Sequence, residues 1–209
     1  MHQAVDSLPT NYEQRGSLDL SKNRLATLGL TVAAAGLLFP VGWLLLRFIS
    51  ATRSDESSFD LRLDLSGTIL LLAAFVALSF SIALVHELVH GLSFWLVTHR
   101  RPVFGFRGLY AFAAAPGWYI PSGQYLVIGL APLVSITLAG LAILPVIPVA
   151  AVPPLFLFVL FNAAGSTGDI LAVFWILTRA PATLVHDAGD AITIFQPTHS
   201  ACPVIGRSE

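Results

Sequence analysis

Residues 67–97 read GTILLLAAFVALSFSIALVHELVHGLSFWLV, an apolar run that carries His86-Glu87-Leu88-Val89-His90 in its second half. The run exceeds the roughly 20 residues that cross a bilayer as a helix. It reads as a membrane span that projects past the hydrocarbon at the histidine end. Two imidazoles and a carboxylate within five positions are costly in hydrocarbon unless something compensates them, and a bound cation would do so. On a helix His86 and His90 lie one turn apart on the same face, so both can reach one ion. Glu87 sits beside them, where it suits a base acting on a metal-activated water.

Composition supports a membrane chain. Of the 209 residues, 56% are hydrophobic and 11% charged, with mean hydropathy +0.78; soluble domains carry about a quarter charged residues. The net charge of −1 leaves no basic face for nucleic acid. The single Cys202 can form neither an intrachain disulfide nor a thiolate cage, so a metal site here must be built from His and carboxylate.

Outward from the central run, the pattern predicts an all-α membrane protein of about four spans, near residues 25–49, 67–97, 125–146 and 155–177. Residues 1–24 read as a polar tail or surface helix, 25–178 as the four-span domain and 179–209 as a polar C-terminal tail. Between the second and third spans, Phe104-Gly105-Phe106, Tyr110-Ala111-Phe112 and Pro116-Gly117-Trp118-Tyr119 are too broken for a helix. They suggest an aromatic, glycine-rich interfacial hairpin. Gly129 and Gly140 suit close helix packing, within one chain or between two. With the N-terminus inside, Arg15, Lys22, Arg24, Arg100, Arg101, Arg107, Arg179 and Arg207 fall on the cytoplasmic side, against Arg47, Arg53 and Arg62 outside. That excess predicts a multi-pass cell-membrane protein with both termini cytoplasmic.

A catalytic zinc takes three protein ligands and leaves a position open. Asp169 is the carboxylate of the fourth span, at a depth matching the histidines; His186 and Asp190 in the tail are the alternatives. Asn162, Ser166 and Asp169 recur along one helical face. Asn162 and Ser166 read either as helix-to-helix hydrogen bonds or as groups that position a substrate.

These segments carry a resemblance. His86 to Gly91, Tyr110 to Pro121, Phe161 to Asp169 and Asp187 to Thr193 resemble the putative zincin peptidase family of small prokaryotic membrane proteins, and are more distantly similar to site-2 intramembrane metalloproteases. The resemblance implies zinc held by His86, His90 and Asp169, Glu87 as general base, Asn162 near the substrate, and a peptide or membrane protein as that substrate. The expected activity is therefore that of a membrane-embedded zinc metallopeptidase. The alternatives are a non-catalytic metal-binding scaffold or regulator, and, last, a haem protein, which histidines one turn apart on one helix do not favour.

Overall fold

A computed structural model describes residues 3–19, 24–53, 65–107, 110–189 and 191–198. Among these, four stretches of helix are long and apolar enough to cross a membrane. Helix α1 covers Arg24–Thr52, α2 Leu65–Thr98 and α3 Ser122–Ile143. The fourth stretch follows a short 3-10 turn at Val149–Ala151 and is divided into α4, Val152–Gly165, and α5, Thr167–Leu177. Phe39, Leu70 and Val127 stand among many large apolar side chains that are largely exposed. A helix apolar all round needs either a protein core or lipid around it. No core surrounds these faces, and the helices are compatible with a multi-pass membrane protein.

The sequence predicts an all-α chain. The chain is mostly helical, but it also contains small antiparallel sheets. Strand β1, Tyr12–Asp19, lies in the segment expected to be a tail or surface helix; β5, Leu184–Asp187, and β6, Ala191–Pro197, lie in the expected C-terminal tail. With β4, Ile120–Pro121, they form one sheet in the order β1-β6-β5-β4. Tyr12 faces Pro197 and Asp19 faces Ala191, so the two ends of the chain pair with each other. Such pairing is non-local and leaves little trace in either segment alone. Separately, β2, Val103–Arg107, pairs antiparallel with β3, Tyr110–Ala114.

The sheet seals one end of the helices. Ile120, Val185 and Ile194 on its inner face are fully buried and pack with Phe94 of α2, Tyr125 and Ile128 of α3 and Ile176 of α5. At the opposite end, Arg53 after α1 donates to the carbonyls of Leu144 and Ile147 after α3, at 3.0 and 2.8 Å. Successive helical stretches therefore alternate in direction, and both ends of the described chain lie at the sheet end. Gly140 of α3 leaves room for Val159 of α4, where any Cβ would collide with that side chain. This is a close approach within one chain.

Candidate metal centre

Three elements bring the site together. His86 and His90 stand on one face of α2, their rings edge to face with centroids 4.9 Å apart. Asp169 stands in the first turn of α5, where backbone amides without helical partners favour a negative charge. That turn exists because the fourth span is broken. Ser166 separates α4 from α5, and the hydroxyls of Ser166 and Thr167 donate to the carbonyls of Asn162 and Ala164 at 2.9 and 2.6 Å. The sequence predicts one continuous helix over 155–177; the interruption falls at the depth of the histidines, beside a cavity, where irregular backbone is tolerated in a span.

The Asp169 carboxylate faces both imidazoles. Its Oδ2 lies 3.1 Å from His86 Nε2 and its Oδ1 3.3 Å from His90 Nε2. One ligand atom from each of the three residues lies within 4.8 Å of the others, and among the described residues no other His, Cys, Asp and Glu side chains form such a group. The other nitrogen of each ring is already committed. His90 Nδ1 donates to the Ile128 carbonyl at 3.1 Å. The side chain of Asn162, fully buried, is oriented by its own Nδ2, which donates to the Pro132 carbonyl at 3.3 Å. Its Oδ1 therefore accepts from His86 Nδ1 at 3.0 Å.

These bonds put both Nδ1 protons on acceptors and turn both Nε2 atoms toward a carboxylate. Such a contact is favourable with a proton on Nε2 or with a metal cation between the nitrogen and the carboxylate. Two donors on a tetrahedral zinc, each about 2.0–2.1 Å from it, stand about 3.3 Å apart. The residues present fit a divalent metal ion, with a donor set that zinc accepts.

Glu87 points to the same space, within electrostatic reach of both histidines and Asp169, and its carboxylate accepts a hydrogen bond from the Ala113 amide of β3. Two cavities meet there. One, of about 200 Å³, opens toward the sheet between Glu87, His90, Asp169, Tyr125 and Asp187. The other, of about 570 Å³, opens along the spans and is lined by Phe75, Ile82, His86, Glu87, Phe161 and Asp169.

Of the tail residues weighed as ligands, His186 turns away, donating from Nδ1 to the Trp118 carbonyl at 3.0 Å and stacking on Tyr119. Asp190 lies outside the described residues. Asp187 adjoins the centre without joining the ligand group. It is buried, it accepts from the Tyr125 hydroxyl and the Gly189 amide, and burial pushes its carboxyl above the ordinary value. In the sequence this segment reads as polar tail, and the Tyr125–Asp187 pair is not visible there. The only sequence signal for it lies in the segment from Asp187 to Thr193, part of the resemblance noted above. The Ala113 amide and the Ile128 carbonyl were also missed, because backbone groups carry no residue signature.

No curated protein and no solved structure matches the chain. The family described as Putative zincin peptidase matches residues 79–185, just over half of the chain, and this stretch includes His86, Glu87, His90, Asn162 and Asp169. The chain is a member of the Putative zincin peptidase family.

Proposed function

We propose that the protein is a zinc metallopeptidase that hydrolyses peptide bonds within or beside the membrane, with His86, His90 and Asp169 as metal ligands. One observation carries this reading: two imidazole nitrogens and a carboxylate converge where a cation fits, with a further carboxylate, Glu87, at the edge of the same space. When bound, zinc would supply Lewis acidity to the scissile carbonyl and to an attacking water. Glu87 would take the proton of that water and deliver it to the leaving amine. The hydrogen bond from the Ala113 amide would favour the charged carboxylate of Glu87, the form a base needs. Asn162 and Ile128 hold the histidine rings, and Ala111 of β3 lines both cavities, within reach of a bound peptide. The apolar lining of the larger cavity suits an apolar stretch of a membrane-protein substrate. The β2–β3 pair would lie at the membrane interface.

Glu87→Gln tests the reading. It keeps the shape of the side chain and removes proton transfer, a contribution of about a hundredfold to ten-thousandfold in rate. Zinc content should stay at the wild-type level while cleavage of co-expressed membrane substrates, or of the chain itself, falls by that factor. Equal cleavage by the two proteins would remove Glu87 as base. Zinc binding with no zinc-dependent cleavage across a broad substrate panel would favour the scaffold.

A further inference from the structure

Pro132 stands in the middle of α3, fully buried, with no charged or polar function of its own. In an unbroken helix the carbonyl of Ile128 would accept the amide of residue 132, four positions on. Proline has no amide hydrogen, and its ring crowds the carbonyl four residues back and tilts it outward. The Ile128 carbonyl is therefore left without its helical donor. Ile128 is 1% exposed, so water does not replace that donor. A buried carbonyl in a span must find a partner from a neighbouring element. His90 Nδ1 donates to it from α2. One turn further along the same helix, the carbonyl of Pro132 itself accepts from Asn162 Nδ2, and Asn162 Oδ1 in turn accepts from His86 Nδ1.

We propose that the Ile128–Pro132 turn of α3 orients both histidines for the metal, and that Pro132 is the positioning residue because it withholds the amide that would otherwise occupy the Ile128 carbonyl. The proposal rests on the metal-centre reading above. Both imidazoles then take their tautomer from one turn of one helix, His90 directly and His86 through Asn162. Groups that accept the remote N–H of a metal-binding histidine typically contribute tenfold to a hundredfold in metal affinity. A proline at this position would otherwise only weaken the helix, since alanine is the better helix former by a wide margin.

The test compares wild type, Pro132→Ala and the ester counterpart of Pro132→Ala, in which the residue is lactic acid and again has no amide hydrogen. Each purified protein is titrated with zinc, and the thermal stability of each is measured without metal. Pro132→Ala should bind zinc about tenfold to a hundredfold more weakly while its metal-free stability holds or rises, which separates positioning from general damage to the fold. The ester counterpart should recover wild-type affinity within about threefold. Unchanged affinity in Pro132→Ala would overturn the proposal, and so would an equal loss in both variants, which would assign the effect to ring packing. Nitrogen-15 spectra of metal-free wild type provide a readout independent of zinc. His90 should carry its proton on Nδ1 at alkaline pH, and a proton on Nε2 would overturn the proposal whether or not zinc binds. A wild type that binds no zinc but keeps the Nδ1 proton would refute the metal reading and leave the orienting turn standing.

Discussion

Two aspartates near the centre, Asp187 buried and Asp169 partly exposed, differ in what surrounds them. Asp169 faces two imidazole nitrogens, and its removal takes one donor from a three-ligand set while leaving the helices in place. Asp169→Ala should lose most bound zinc, measured by elemental analysis of purified protein; full retention would move the third ligand elsewhere. Asp187 accepts from the Tyr125 hydroxyl and the Gly189 amide and lies within electrostatic reach of His90 and His186, yet burial outweighs all of these, so its carboxyl titrates above the ordinary 3.8. A carboxyl whose folded pKa is raised binds its proton more tightly in the folded state. Its contribution to stability is therefore complete below about pH 4 and is lost as the pH rises through the folded value. Asp187→Asn cannot ionise. The melting temperature of wild type relative to this variant should fall as the pH rises from about 4, and a difference that stays flat as the pH is raised would contradict the assignment.

At the scale of elements, β2 matters because it carries β3, and β3 carries the Ala113 amide that holds Glu87. Gly91, the residue after His90, allows β2 to approach α2; any Cβ there would meet the Phe104 ring. Gly91→Val should cost about 1–3 kcal/mol of stability through overpacking. It should retain zinc, because the histidines are held from α3 and α4, and should lower cleavage by displacing β3 from Glu87. Adding Phe104→Ala makes room, and the pair should recover most of the activity; strictly additive losses would show that β2 and α2 are not coupled. Elements of this kind differ in how far they can be read from sequence. The spans and His86, Glu87 and His90 were legible because apolar runs and one-turn spacing are local patterns. Asp169 was legible by depth, as an ionisable group in an otherwise apolar stretch. The break at Ser166 was not, since Gly165, Ser166 and Thr167 are small residues that helices in membranes also tolerate. The four-stranded sheet was not legible either, because β1 and β6 specify each other only once the spans have brought the chain ends together.

For the whole molecule, that pairing constrains topology. β1 precedes α1 and β6 follows α5, and their hydrogen-bonded register holds both ends of the described chain on one side of the helices. If the four helical stretches all cross the bilayer, the termini share a compartment. Charge distribution then selects which one. Arg15, Arg100, Arg101 and Arg179 lie toward the sheet end, and Arg47 and Arg53 toward the other. Arg179 over Trp175 and Arg47 over Trp43 form one arginine–tryptophan contact at each end, the pairing expected at the two membrane surfaces. Basic residues concentrate on the cytoplasmic side, so the sheet, both termini and the smaller cavity should face the cytoplasm. Reporter fusions at Thr198 and between α1 and α2 check this. The first should report the cytoplasm and the second the exterior. A reversed pair would invert the orientation but keep the fold, and would place the water-side approach to Glu87 outside the cell. Both reporters on the same side would mean that α2, α3 and the α4–α5 stretch do not all cross, because three crossings separate the two reporter positions.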